Sequence, residues 1–319
     1  MSRLSVRVHP KLTDSTVFDL QNRKIYTAFD FMKSDSEKLM QYAGLSFQDI
    51  LEIKQEITKL YGGQIKNGRE LLKTNHNNVI LTGIKNLDNL LKGGLRGGHI
   101  YEMCGLSSSG KSQLCHTIAV NIANKLEGIV YYIDTKGDFC ALRAHMILEN
   151  TKCNKELRLL TLNHINVIRA KSVAELVNFL HSLKMLKRED TEKPIKLLII
   201  DSIPAIFFNS KSSELLRSNY TCGLNHLSNV MRCIANELNI VVITINLITK
   251  WQDWNGGYGS NNPATVRVAL GKYWLSVPNT RLLLETTDPG IMKISLLKSS
   301  YLATEQSVCY AEITNAGVV

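Results

Sequence analysis

The sequence predicts an α/β protein: a mostly parallel sheet with an antiparallel extension at its end, preceded by a small all-helical domain. Three observations lead there. Beyond residue 78, β-branched and aliphatic runs alternate with helix-length stretches, the pattern of βαβ crossovers. After Arg281 the helical stretches stop, and apolar runs follow one another at short intervals, as in an antiparallel meander. Between residues 11 and 61 the apolar residues instead fall into short helical segments separated by turns.

The length of 319 residues suits one large and one small domain, at about 150 residues per domain. In the first part, residues 12–23, 27–33, 35–44 and 46–62 read as helices. Ser46 with Asp49 three residues on resembles a capping box, and Phe47, Ile50, Leu51, Ile53, Ile57 and Leu60 follow near the 3.6 period. Residues 62–78 are polar, contain glycine and hold few large apolar side chains, which reads as a linker. The expected boundaries are therefore a helical domain over 1–61, a linker over 62–78 and the α/β core over 79–319. In the core, residues 99–105, 129–134, 164–170, 196–201 and 240–246 read as strands, with helical stretches after Lys111, Gly137, Ser172 and Ser212. Residues 281–287, 291–299 and 307–314 read as the antiparallel end.

Composition narrows the class. With 44% hydrophobic and 21% charged residues, the chain is an ordinary globular sequence rather than a disordered or coiled-coil one. No apolar run approaches the roughly 20 residues of a membrane-spanning helix, and the start lacks a signal-peptide stretch, so a soluble intracellular protein with no membrane partner is expected. Seven cysteines, Cys104, Cys115, Cys140, Cys153, Cys222, Cys233 and Cys309, include no CxxC pair. That argues against a zinc site or a disulfide framework and for reduced, mostly buried thiols. The net charge of +10 favours an anionic partner. Residues 1–61 hold nine Lys and Arg against eight Asp and Glu, whereas residues 62–319 hold 29 against 20, so the excess belongs to the core.

The strongest local signal is Gly105-Leu106-Ser107-Ser108-Ser109-Gly110-Lys111-Ser112, which matches G-x-x-x-x-G-K-[ST] between an expected strand and an expected helix. Such a loop curls backbone N–H groups around phosphates, its Lys111 spans the β/γ-phosphates, and its Ser112 hydroxyl can ligand Mg²⁺. ATP with Mg²⁺ is the expected ligand pair. The second requirement is a carboxylate at the end of a buried strand, and Asp201, after four consecutive aliphatics, supplies it where open α/β sheets bind ligands.

Together with these motifs, residues 82–105, 110–120, 131–135, 196–202 and 269–285 make the chain resemble the RecA-type strand-exchange recombinases over nearly all its length. Within that family it looks most like the D-type eukaryotic paralogues of the Rad-fifty-one group. The resemblance implies a RecA-like ATPase core behind a small helical domain, sister recombinase paralogues as partners in a heteromer, location in the nucleus, and a role in homologous-recombination repair. Two departures matter. Active relatives follow the strand equivalent to residues 131–135 with a Glu that polarises the attacking water; here Lys136 stands there, and a positioned base is typically worth about 10²–10⁴-fold. Where active relatives carry a polar residue after Asn246, this chain has Leu247. No catalytic residue is assigned with both changes present.

The resemblance also implies two DNA loops, after Asp201 and after Asn246, with Lys211, Arg217, Lys250, Trp251, Trp254 and Arg267 as contacts. Between Phe207 and Arg281 there are seven Lys and Arg against three acidic residues. Cations there would neutralise phosphates, and Trp251, Trp254 and Tyr258 either stack on unpaired bases or pack beneath the loop or against a partner. The Phe-x-x-Ala segment by which relatives polymerise is absent from the linker. Lys298, after an apolar strand, is either a trans contact to a neighbour's γ-phosphate, as in some relatives, or a solvated strand-end lysine. The leading expectation is an ATP-binding mediator that supports the recombinase on single-stranded DNA. The alternatives are a DNA-dependent ATPase that performs strand exchange as its own filament, and an unrelated phosphate-loop enzyme such as a small-molecule kinase.

Overall fold

Side-chain oxygens of Thr13, Thr27, Asp35 and Ser46 each accept a backbone N–H from the turn that follows, and four helices begin there: α1 (Asp14–Asn22), α2 (Ala28–Lys33), α3 (Ser36–Ala43) and α4 (Phe47–Tyr61). Such caps satisfy N–H groups that have no partner inside the helix. At Thr27–Asp30 and Ser46–Asp49 the acidic side chain reaches back to the cap's own N–H, completing two capping boxes. Leu20, Phe31, Leu39, Ile50 and Ile53 close the core of this unit. The computed structural model describes residues 3–63, 65, 67–76, 78–125, 128–151, 154–186, 193–208, 216–251 and 265–319.

The chain divides into two compact units, Met1–Leu72 and Lys73–Val319. The division lies inside the segment expected as a linker, which also holds a helix, α5 (Gly68–His76). Its polar residues hid it: Arg69, Glu70, Leu71, Leu72 and Lys73 are good helix formers without an amphipathic stripe long enough to register.

In the second unit, β1 (Val79–Ile80) and β2 (Leu95–Arg96) pair around α6 (Lys85–Leu90). The main elements then follow in order: β3 (Ile100–Gly105), α7 (Lys111–Lys125), β4 (Ile129–Asp134), α8 (Ala141–Glu149), α9 (Lys155–Asn163), β5 (Ile165–Arg169), α10 (Val173–Leu186) and β6 (Ile195–Asp201). Next come α11 (Ile203–Phe208), α12 (Leu216–Leu238), β7 (Val241–Trp251), β8 (Thr265–Val268) and α13 (Gly271–Trp274). The chain closes with β9 (Thr280–Asp288), β10 (Ile291–Ser299), β11 (Val308–Thr314) and β12 (Gly317–Val318). The helical stretch after Gly137 is two helices, because Asn154 caps a new start at α9.

The large sheet runs β12-β11-β10-β9-β3-β7-β6-β4-β5. Strands β9, β3, β7, β6, β4 and β5 are parallel; β10, β11 and β12 join antiparallel. Every residue of β3 is buried, as a strand covered on both faces requires. Alternation decides the face: Val241, Ile243 and Ile245 join α7 in one core, while Val242 joins α10 and α12 in the other.

Candidate functional site

Strands β3, β4 and β6 end together. Asp134 is level with Asp201 across β4 and β6, and Asn246 of β7 is level with Cys104, one residue before Gly105. The predicted loop, Gly105 to Ser112, connects β3 to the N-terminus of α7 at this edge. Its two glycines are geometric requirements. A Cβ at Gly105 would collide with the Leu284 carbonyl and Ser109 Oγ, and Gly110 holds φ +82°, a left-handed backbone conformation that favours glycine.

Lys111 folds back on this loop. Its ammonium donates to the Gly105 carbonyl at 3.0 Å, to Ser109 Oγ at 3.2 Å and to the Leu106 carbonyl, so its three donors are all engaged. Burial, and then the neighbouring Lys136, lower the Lys111 pKa, with Asp201 opposing them. Ser112 Oγ donates to Asp201 Oδ2 at 2.6 Å, which brings together the two residues predicted for the metal. Tyr132 OH donates to the same oxygen at 2.9 Å. Hydroxyl and carboxylate oxygens are the hard donors that Mg²⁺ takes, and the adjoining Ser202 Oγ is buried without a partner among the described residues. Ser112 and Asp201 therefore fit a magnesium shell completed by phosphate oxygens and water.

Lys136 lies inside this arrangement. Its Nζ stands 3.4 Å from Asp201 Oδ1, so the residue expected to replace a catalytic Glu presents a cation to the carboxylate predicted for the metal. Its backbone is fixed by Asp134, whose carboxylate accepts N–H bonds from Lys136, Gly137, Asp138 and Phe139. Burial pushes the Asp134 carboxyl up, but those four bonds outweigh it and hold the pKa below the usual range.

Behind the loop is a buried polar cluster that sequence reasoning missed. Glu102 of β3 accepts from Asn246 Nδ2 at 2.6 Å, from Trp274 Nε1 at 2.7 Å and from Arg281 Nε. Asn246 also donates to the Ala269 carbonyl. One carboxylate thus ties β3, β7, α13 and β9 together. The available signal was a charged residue within an otherwise apolar strand, and its partner Arg281 lies 179 positions away. Tyr132 was missed because nothing in the sequence separates a core tyrosine from one whose hydroxyl meets Asp201. Arg143 was missed too; it bonds Gln113 Oε1 and the carbonyls of Thr314 and Asn315 beside the start of α7.

A family model described as Rad51 matches residues 74–319, all but the first residue of the unit that carries this site. The chain belongs to the Rad51 family. A second model, described as RAD51D, N-terminal domain, matches residues 1–57, so the helical unit has a family counterpart of its own. Among curated relatives, mouse DNA repair protein RAD51 homolog 4 is 31% identical over 297 residues, covering 90% of this chain and 86% of the relative. The bovine homolog 4 is 29% identical over the same coverage. Mouse DNA repair protein RAD51 homolog 2 is 27% identical, covering 93% of this chain and 92% of the relative. The RecA-like core with its antiparallel end and the N-terminal helical region agree with these matches.

The remaining predicted residues spread across this Rad51-type core. In the first DNA loop, Lys211 lies outside the described residues, and Arg217 falls on the first turn of α12 rather than in a loop. The second begins later than expected. β7 continues through Lys250 and Trp251 and pairs antiparallel with β8, Lys250 opposite Val266 and Trp251 opposite Thr265; β-branched Ile248, Thr249, Thr265, Val266 and Val268 favour that ladder. Arg267 is exposed there, whereas Trp254 and Tyr258 lie outside the described residues. Lys298, on β10, donates to the carbonyls of Leu275 at 2.9 Å and Pro278 at 2.8 Å. These two bonds use two of its three N–H donors, so a contact in trans would compete with them for the ammonium. Among the described thiols the expectation of mostly buried ones is corrected: Cys104 and Cys115 are buried, but Cys140 and Cys222 are exposed and Cys233 and Cys309 half-buried, because they sit at helix starts, on helix surfaces and on an outer strand; Cys153 lies outside the described residues. No described helix is long and apolar enough to cross a membrane.

Proposed function

We propose that this chain is an ATP-binding recombinase paralogue that works in homologous-recombination repair, as part of a nuclear heteromer with sister paralogues. In that role it supports the strand-exchange recombinase on single-stranded DNA, with nucleotide binding rather than fast hydrolysis as its switch. The Rad51-family core and the DNA-repair names of its relatives support the repair assignment. The observation that carries the switch is Lys136 on Asp201. An ammonium cannot take a proton from water at neutral pH, and the neighbouring carboxylate of Asp134 is occupied by four backbone N–H groups.

With nucleotide present, the loop N–H groups and the start of α7 hold the phosphates, and Lys111 exchanges its loop carbonyls for phosphate oxygens. Mg²⁺, held by Ser112 and Asp201, would neutralise phosphate charge. Lys211, Arg217, Lys250, Trp251, Trp254 and Arg267 are the proposed DNA contacts. Single-turnover ATP hydrolysis with and without single-stranded DNA tests the reading. The expected result is tight binding with slow turnover in both cases, and a gain of at most about 10²–10⁴-fold in Lys136→Glu. A wild-type rate that single-stranded DNA raises to that of an active recombinase would instead make the chain a strand-exchange ATPase.

A further inference from the structure

The phosphate site holds more positive charge of its own than its magnesium ligands suggest. Both oxygens of Asp201 are engaged: Oδ2 by Ser112 and Tyr132, Oδ1 by the Lys136 ammonium. The neighbouring carboxylate, Asp134, is turned into the loop it organises. Among the described residues, no three His, Cys, Asp or Glu side chains converge as a metal cage. A second lysine, Lys111, stands in the loop itself, close enough to Lys136 for that cation to add to burial in lowering the Lys111 pKa. A polyphosphate entering here meets two ammonium groups, one bonded to the loop and one paired with Asp201.

We infer that Lys136 is a tethered counter-cation for the nucleotide phosphates, which takes over part of the charge neutralisation normally left to Mg²⁺ and makes ATP binding only weakly dependent on magnesium. The inference rests on the nucleotide-binding reading above. Its geometry is specific. The turn from Asp134 to Phe139 is pinned by four N–H bonds to one carboxylate, and a Cβ on Gly137, at φ +88°, would collide with the Arg169 guanidinium. Lys136 is thus delivered to the site by a rigid turn. Its side chain remains about one-third exposed, so the ammonium can move from Asp201 Oδ1 to an incoming phosphate oxygen without crossing packed structure. Magnesium and Lys136 then compete for the same carboxylate, and each lowers the benefit of the other.

Coupling between two ligands of one site is reciprocal and typically amounts to about 5–150-fold in affinity. The test is calorimetric titration of the full-length protein with ATP, in magnesium and in excess EDTA, for wild type, Lys136→Met and Lys136→Arg. Lys136→Gln serves as a second neutral variant, and thermal melting checks each fold. Wild-type affinity should fall by less than about 5-fold on chelation, Lys136→Met and Lys136→Gln should move into the range of about 5–150-fold, and Lys136→Arg should stay with wild type. Wild-type binding that is lost without magnesium, or neutral variants with the wild-type ratio, overturns the inference and leaves the nucleotide site standing. Failure of wild type to bind ATP in either condition overturns both.

Discussion

Lys111 and Lys136 carry the same charge in the same site, but different surroundings give them different tasks. Lys111 is 7% exposed and bonded to its own loop, so it is already desolvated, and under the proposed function it would only exchange loop partners for phosphate oxygens. Lys111→Ala should therefore weaken ATP affinity by about 1.5–3 kcal/mol, the scale of a lost charge-assisted hydrogen bond, while the melting temperature changes little. Calorimetry and a melting curve check both parts. Lys136 is partly exposed and paired with Asp201, which suits it to move. The loop motif was legible from its spacing, as was Asp201 from its place after four aliphatics. That the Lys136 ammonium reaches Asp201 was not, because the residues are 65 positions apart and only the pairing of β4 with β6 brings them together.

At the scale of elements, two devices make separate predictions. The capping box of α4 depends on Asp49, which also receives Lys11. The Lys11 ammonium, and then Ser46, hold the Asp49 pKa at about 2, against an ordinary 3.8. A carboxyl with a depressed folded-state pKa stabilises the fold above its unfolded value and loses that contribution as pH falls through the folded one. The helical unit should lose stability as the pH drops from about 4 to about 2, and the loss should shrink in Asp49→Asn, as followed by acid titration of the helical circular-dichroism signal. The second device is Glu102. Glu102→Ala leaves Arg281 buried without its carboxylate, a loss of about 3–5 kcal/mol for a broken buried pair, read as a lower denaturant midpoint for the core unit. An unchanged midpoint would show that water reaches Arg281. Here the sequence was legible in part: the helix starts at Ser46 and Asn154 follow from cap chemistry, but only Ser46 stood out beside a clear apolar period.

At the scale of the whole molecule, charge is unevenly shared: the excess of cations lies in residues 62–319. If the β7–β8 ladder is the DNA-facing element, its cations set the salt dependence. Lys250→Glu together with Arg267→Glu should flatten the slope of log affinity for single-stranded DNA against log salt by roughly 0.7 per lost phosphate contact. Fluorescence anisotropy across a salt series measures it, and an unchanged slope places the DNA contacts elsewhere on the core.

The sequence by itself determined what short-range chemistry writes: the order of the main helices and strands, the glycine-bounded loop between β3 and α7, the antiparallel end after Arg281, and the carboxylate that closes β6. Each depends on neighbours within a turn or a strand. It did not determine the helix α5, whose nine mostly polar residues are too few for their period to stand out, or the β7–β8 ladder, whose strands flank a long connection. Nor did it reveal the pairings made across the sheet. Glu102 meets Asn246, Trp274 and Arg281, and Lys136 meets Asp201, because parallel strands far apart in the chain end at one edge. Strand order and register, which local propensity does not encode, decide which charges share a site.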